Sequence, residues 1–207
     1  MFGLTLEYAR KINYKLFDAP KDYGLPIAAE VWDKQYQDGV WNFLDSTDEL
    51  PNYMVTAGYV QHFAKSLPDA PRLLDIGCGH GNLAQLLSAY GWKSYLGVDV
   101  SAEALRQAES RGLKNARFEI ADFEQWQSPE KFDFIISTGS ISYAKNPVAV
   151  LKHYSTTLSE NGAFVISLWR YGFNSVIWQN IEKHFGIIDS AVVTNQKGET
   201  WDIKVLR

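Results

Sequence analysis

Between Leu73 and Gly81 the chain runs an apolar segment, Leu73-Leu74-Asp75-Ile76, straight into Gly77-Cys78-Gly79-His80-Gly81. Few features constrain a fold more. The apolar residues read as a short buried strand, and the glycines let the backbone turn tightly and come close to a ligand. Leu83, Leu86, Leu87 and Tyr90 then recur at i, i+3, i+4 and i+7, which predicts a helix stopped by Gly91. The free N–H groups at that helix start, about Asn82, point at the same spot as the glycines. Such a place suits an anionic group such as a carboxylate. Three glycines at alternate positions are more than a plain strand-to-helix turn requires.

The alternation continues downstream. Tyr95 to Asp99 predicts a second strand, and Ser101 can cap a helix closing near Gly112. Phe118 to Ala121 and Phe132 to Ser137 read as strands three and four. Asn146 caps and Pro147 opens the next helix, expected to stop at Asn161-Gly162, before a fifth strand from Ala163 to Leu168. A helix near Ser175 to His184 precedes Ile188 to Thr194, a turn at Asn195 to Gly198, and Glu199 to Leu206. In that last segment Trp201, Ile203 and Val205 alternate with Asp202 and Lys204, the period of a strand with one buried face. The expected fold is therefore α/β: a Rossmann-like, seven-stranded, mostly parallel sheet, helices on both faces, and an antiparallel C-terminal hairpin. Upstream, Phe2, Leu6, Ala9, Ile12 and Leu16 predict an amphipathic helix, Asp18 to Pro26 a loop, and about Asn52 to Ser66 a further helix. We divide the chain into an N-terminal helical lid or extension, residues 1–71, and a core, residues 72–207, in one compact unit.

Charge and cysteine content exclude some functions. Of 207 residues, 20 are basic and 24 acidic, with a pI near 5.6. The basic footprint that neutralises phosphates is missing, so no nucleic-acid substrate is expected. Cys78 is the single cysteine, so the chain can form no internal disulfide and no cysteine-based zinc site, and no metal is expected. Glu7, Arg10 and Lys11 interrupt the N-terminal apolar residues, unlike a secretory signal, and no apolar stretch is long enough to span a bilayer. We expect a soluble cytoplasmic protein with no membrane association. A monomer and a homodimer both fit.

Ligands of open α/β sheets sit at the carboxyl ends of the strands. Asp99 ends the second strand, where a carboxylate can accept two hydrogen bonds from a ribose diol; alone it would read as a surface aspartate. Asp122-Phe123 ends the third, where carboxylate and ring could hold an adenine. A dinucleotide fold would share these features, but its G-x-G-x-x-G fingerprint needs a glycine where Asn82 stands. The third glycine comes one residue early, at Gly81, which suits a ligand without a pyrophosphate. No Gly-Lys-Ser/Thr follows, so a Walker phosphate loop is absent as well.

Leu73 to Gly81 resembles the first motif of class I S-adenosylmethionine-dependent methyltransferases. Leu96 to Ser101 resembles their second, Phe118 to Phe123 their third, and Phe132 to Ser137 with Leu158 to Phe164 their fourth strand and the turn into the fifth. The resemblance runs from about Arg72 to Trp169. It implies that S-adenosylmethionine is the cofactor and S-adenosylhomocysteine its product. Asp75, Gly77, Cys78, Gly79 and Gly81 would form the cradle for its methionine part. Asp99 and Val100 would lie at the ribose, Asp122 and Phe123 at the adenine, and Ser137 and Thr138 at the sulfonium end. Val31 to Trp41 looks like the lid of small-molecule members, which makes a small-molecule methyl acceptor the expected partner.

Trp32, Tyr36, Trp41 and Tyr53 could line that lid and face the sulfonium, although such rings are also ordinary core formers. No histidine follows the fourth strand, and Tyr143 is the one candidate for a proton-handling group there, though a packed tyrosine would look the same. Ser137-Thr138-Gly139-Ser140 replaces the Asn/Asp-Pro-Pro-aromatic motif of some amino-methylating relatives. The acceptor pocket is expected between the N-terminal zone, the loop from Gly139 to Asn146, and Trp169 to Phe173, with Arg170 either binding an acceptor carboxylate or simply lying at the surface. Two rival readings remain: a cofactor-binding module without turnover, and an enzyme transferring another group from the same cofactor.

Overall fold

A computed structural model of the chain describes residues 28–207. The helix and loop expected before residue 28 lie outside the described residues. In chain order the elements are α1 (Ala29–Gln37), a 3₁₀ turn (Asn42–Asp45), α2 (Leu50–Ala64), β1 (Arg72–Ile76), α3 (Asn82–Leu87), β2 (Ser94–Asp99), α4 (Ala102–Ser110) and β3 (Ala116–Ile120). There follow β4 (Phe132–Thr138), a second 3₁₀ turn (Ser140–Tyr143), α5 (Pro147–Ser155), β5 (Leu158–Trp169), α6 (Asn174–Ile181), β6 (Ile187–Thr194) and β7 (Thr200–Leu206). No helix among the described residues is long and apolar enough to cross a membrane.

The seven strands form one sheet in the order β3-β2-β1-β4-β5-β7-β6. The first five are mutually parallel, while β7 runs antiparallel to both β5 and β6. This is the α/β architecture the alternation of segments predicts. From β1 the chain adds β2 and β3 on one side and then returns to add β4 and β5 on the other, so a crevice opens at the carboxyl ends of β1 and β4.

Both faces of the sheet are covered, which is why its strands read as unbroken apolar runs. On one face Leu74, Ile76, Val98 and Ile135 pack with Leu151 and Tyr154 of α5 and with Trp178 and Ile181 of α6. On the other, Leu73, Tyr95, Phe134 and Val165 pack with Ala57 and Val60 of α2 and Leu83 and Leu87 of α3. Neighbouring residues such as Leu73 and Leu74 thus serve opposite layers, as strand periodicity requires. Trp201, Ile203 and Val205 of β7 are buried as their alternation predicts.

Two boundaries differ from expectation. The helix after the glycine loop ends at Leu87 instead of continuing to Gly91, and Tyr90 lies exposed in the turn that follows. Asn161-Gly162 does not end a helix. It lies inside β5, which already pairs with β4 at Leu158–Phe132 and resumes at Ala163–Phe134 after an irregularity. A Cβ at Gly162 would sit 3.1 Å from the Phe132 carbonyl oxygen, so this glycine serves a close strand approach and not a helix stop.

Gly97 is the tightest point of the central sheet. A Cβ there would lie 2.6 Å from Cys78 Sγ and 2.7 Å from Phe118 Cδ1. Gly97→Ala is therefore expected to cost about 1–3 kcal/mol of stability. Urea unfolding should show a lower midpoint with unchanged slope; an unshifted midpoint would mean that this interior has slack.

Candidate active site

The crevice at the strand ends is a cavity of about 1040 Å³. Its floor is the glycine loop, where Gly77, Gly79 and Gly81 adopt φ of 68°, 54° and 81°. Two amides of the loop, Gly77 and Cys78, donate to the Val98 carbonyl at 2.7 and 3.1 Å, stitching it to β2. The Gly79 amide donates to Asp99 Oδ2 at 2.8 Å, and the Ser101 amide to Asp99 Oδ1 at 2.9 Å. A side chain would not fit: a Cβ at Gly77 would lie 2.3 Å from Ser140 Cβ, and one at Gly79 2.6 Å from the Tyr36 hydroxyl.

Asp99 lines this cavity while being almost fully buried. Burial raises its pKa above the usual carboxylate value, and hydrogen bonds from the Ser101, Gly79 and Val100 amides oppose that rise. Cys78 is buried too, and burial together with Asp99 and Asp75 pushes its thiol up, so it stays protonated and unreactive.

Of the residues expected at the cofactor, Gly77, Cys78, Gly79, Asp99, Val100, Asp122, Phe123 and Thr138 line the cavity, as do Trp32, Tyr36, Trp41, Tyr53 and Tyr143. Three others do not. Asp75 lies behind the loop at 1% exposure, accepting a hydrogen bond of 2.6 Å from the Tyr95 hydroxyl. Gly81 packs against α4, where its Cβ would meet Ala108 Cβ at 3.1 Å, so it serves helix packing. Ser137 is fully buried. Its hydroxyl is 2.6 Å from that of Ser140 and accepts the Ile141 amide, shaping the turn after β4. Arg170 also stays off the cavity wall, paired through two nitrogens with Asp202 at 2.8 and 2.6 Å.

The aromatic stretch before α2 folds over the cavity. Trp32 lies 5.3 Å from Trp41 and meets Tyr143 edge-on at 4.8 Å, centroid to centroid. Trp41 Nε1 donates to Gln35 at 3.0 Å. Asp33 fixes this cover to the core, because its Oδ1 accepts from the Ser101 hydroxyl at 2.7 Å and from the Glu103 amide at 3.0 Å. A carboxylate at the start of α4 also meets the positive end of that helix. The 3₁₀ turn is tied to the loop through Asn82, whose Nδ2 donates to the Leu44 carbonyl at 2.8 Å. Arg111 reaches across to the His80 carbonyl at 2.7 Å. His80 is buried, with Nε2 3.2 Å from Asp45, and burial lowers its pKa, leaving the ring neutral at neutral pH.

Residues overlooked in the sequence complete the wall. Glu49, Asn52, Glu199 and Trp201 line the end of the cavity away from Asp99. The Ser167 hydroxyl donates to Asn52 Oδ1, leaving the Asn52 amide nitrogen to donate to Glu49. Among the described residues, no three His, Cys, Asp or Glu side chains converge to hold a metal ion.

This geometry can be compared with known proteins. A family model described as "Methyltransferase domain" matches residues 52–203. The chain belongs to that family. Among its relatives, a Papaver bracteatum protein named "Probable (S)-tetrahydroprotoberberine N-methyltransferase 2" is 33% identical over 106 residues, 48% of this chain and 29% of that protein. A trans-aconitate 2-methyltransferase of Afipia carboxidovorans is 31% identical over 102 residues, 48% of this chain and 39% of that protein. The match thus spans well under half the length of either. The solved structure of the N-methyltransferase NodS from Bradyrhizobium japonicum WM9, in complex with S-adenosyl-L-homocysteine, superposes with a TM-score of 0.68 over 84% of this chain and 97% of that one. At 15% identity this bears on the fold alone.

The buried carboxyls set a pH dependence. Burial raises Asp75 to about 7, helped by the charge of Asp99 and opposed by the Tyr95 hydrogen bond. Burial and the neighbouring Glu199 raise Glu49 to about 7 as well. Between about pH 4 and 7 the folded chain therefore holds protons that the unfolded chain releases, so these groups make stability fall as pH rises through that window. Asp75→Asn should flatten the Asp75 share, raising stability at pH 8 relative to pH 5. Urea midpoints of both proteins at the two pH values test this, and an identical pH difference in the two would contradict it.

Proposed function

We propose that the protein is an S-adenosylmethionine-dependent methyltransferase acting on a small molecule. The observation that carries this reading is the Asp99 carboxylate, fixed by the Gly79 amide at the edge of a glycine cradle and facing a roofed cavity. Membership of the methyltransferase-domain family supports it, as does the shape of the site. A cradle too narrow for any Cβ suits the close approach of an amino-acid chain. Asp99, with both oxygens already turned by backbone amides, keeps lone pairs for a vicinal diol. Asp122 and Phe123 stand one strand further along, for the base.

When bound, the cofactor supplies a methyl group already activated on a sulfonium. The chain's residues then mainly position and exclude. Gly77 and Gly79 bring backbone to the methionine part, and Asp99 takes the ribose hydroxyls. Thr138 and Tyr143 border the space between β4 and the cover, where the acceptor must approach. Trp32, Tyr36 and Trp41 shed water from that space, and their ring faces favour positive charge by about 0.5–2 kcal/mol. Alignment of two reactants in a closed site is the largest contribution such a protein can make. In this reading α1 and the 3₁₀ turn are the lid, held shut by Asp33.

The direct test is S-adenosylhomocysteine release across a panel of small acceptors, preceded by calorimetric titration of S-adenosylmethionine. Hydrogen bonds to a charged acceptor are worth about 1.5–3 kcal/mol each. Asp99→Asn, which keeps an oxygen for the Gly79 amide but turns an NH2 group toward the Ser101 amide, should therefore weaken cofactor binding by roughly 10²-fold while also lowering the thermal melt, so affinity is compared at a temperature where both proteins are folded. Unchanged affinity would remove Asp99 from the ribose site, and preferential binding of NADH would overturn the proposal.

A further inference from the structure

The cavity is long and its charges are sorted. Asp99 ends β2 and Trp201 stands at the start of β7, with β1, β4 and β5 between them. At about 4.8 Å per strand the cavity runs across roughly 19 Å of sheet. The proposed cofactor site occupies the β3–β2–β1 end. The β5–β7 end is left for the other reactant.

The described residues that line the cavity include five carboxylates, Glu49, Asp99, Asp122, Glu124 and Glu199, but a single lysine or arginine, Lys145. Lys145 follows β4; its backbone amide donates to Glu124 at 3.1 Å, and it also lines a small hollow with Ile177 and Asn180 of α6. At the far end, Glu49 and Glu199 come from separate parts of the chain and are held together by Asn195. Its Nδ2 bonds both the Asp48 carbonyl, at 3.1 Å, and Glu199 Oε2, at 2.6 Å. The wall around them is aromatic. Trp169 and Trp201 are register partners in the β5–β7 ladder and both line the cavity, and Trp169, 38% exposed, stacks on Tyr171 with centroids 4.5 Å apart. Tyr53 stands one turn beyond Glu49 on α2.

Two carboxylates among large aromatic faces in one cavity end repel an anion. They also attract a cation twice over, by charge and by the negative faces of the rings. We propose that the acceptor is an amine, bound as its ammonium between Glu49 and Glu199 against Trp169 and Trp201, and that Glu49 takes its proton. In that step an N–H bond breaks, its electron pair stays on nitrogen, and the proton forms an O–H bond on a Glu49 carboxylate oxygen. The neutral amine so formed has the free pair that methylation of nitrogen requires. The groups facing Glu49 are Glu199 across the cavity, Asp48 beside it, Asn52 and Tyr53 on α2, with Lys197 turned outward onto Asp48. Burial and the Glu199 charge bring Glu49 to about 7, the range in which a carboxylate exchanges protons at neutral pH. This inference rests on the methyltransferase reading for the use made of the amine, but ammonium binding can be measured without turnover.

The test is titration of the S-adenosylhomocysteine-treated protein with benzylamine, benzyl alcohol and phenylacetate, followed by tryptophan fluorescence and calorimetry, on wild type, Glu49→Gln and Glu199→Gln. We expect benzylamine to bind at least tenfold more tightly than either of the others. Each substitution should weaken benzylamine binding about tenfold or more, leave benzyl alcohol unchanged and leave S-adenosylhomocysteine affinity unchanged. Glu199→Gln keeps an oxygen for Asn195 and lies on a half-exposed turn, so it reads the charge even if Glu49→Gln disturbs α2. Phenylacetate binding as well as benzylamine, no benzylamine binding, or benzylamine affinity unmoved in both variants would each overturn the inference. Failure of S-adenosylhomocysteine to bind wild type would instead strike the cofactor reading, and the preference for ammonium would still be measured on its own.

Discussion

One carboxylate holds the site together. Asp99 accepts the Gly79 amide on one oxygen and the Ser101 amide on the other. The first bond fixes the cradle after β1, and the second fixes the start of α4 after β2. Ser101 then passes the connection on, because its hydroxyl caps α4 by accepting the Ala104 amide and donates to Asp33 of the lid. Three segments far apart in sequence therefore take their positions from one side chain. Burying that charge is costly in itself, and it is tolerable because backbone N–H groups meet it at hydrogen-bond distance. A group so constrained is also preorganised for any further donor, such as a diol, that enters the cavity.

The parts of this structure that the sequence discloses are those set by local physics. Glycines at positive φ, the Ser101 and Asn146 caps, Pro147 at the first turn of α5, and the alternation in β7 all act within a few residues, and each can be read in isolation. The mostly parallel sheet with its antiparallel C-terminal hairpin follows as well, since strands joined by helices allow few arrangements. What the sequence hides is set by contacts across the fold. Nothing near Asp33 announces that it will cap a helix 70 residues away, and nothing near Glu49 announces Glu199. Asp75, Gly81 and Ser137 show the converse. They stand within motifs whose neighbours line the cavity, yet strand alternation and helix packing turn them inward. Gly162 carries the same lesson, for a glycine that reads as a helix stop is required by the carbonyl of Phe132 across the ladder.

The aromatic cover and the glycine loop are coupled more tightly than a loose cover would be. Asn82 starts α3 and also holds the Leu44 carbonyl, while Arg111 at the end of α4 reaches the His80 carbonyl and Asp45. The Tyr36 hydroxyl rests where a side chain on Gly79 would stand. Glycine at that position therefore makes room for Tyr36, and the aromatic cover can descend to the floor of the cavity only because Gly79 has no side chain.

The distribution of buried acid follows from the same economy of space. Burial first, and then the charge of Asp99, raises the Asp75 carboxyl behind the glycine loop, and burial with the charge of Glu199 raises Glu49 at the opposite end. A protein selected for stability alone would have little reason to bury Asp75 behind the cradle next to Asp99, or to set Glu49 and Glu199 together at the other end of the cavity. Tyr95 donates to Asp75 and backbone amides donate to Asp99, and on the proposed reading a ribose diol would add donors at Asp99 while an ammonium would meet Glu49 and Glu199 at the β7 end. The two ends thus ask for chemically different guests. The cavity between them, roofed by Trp32, Tyr36 and Trp41, would hold both guests under one cover, and that is the arrangement a transfer between two small molecules requires.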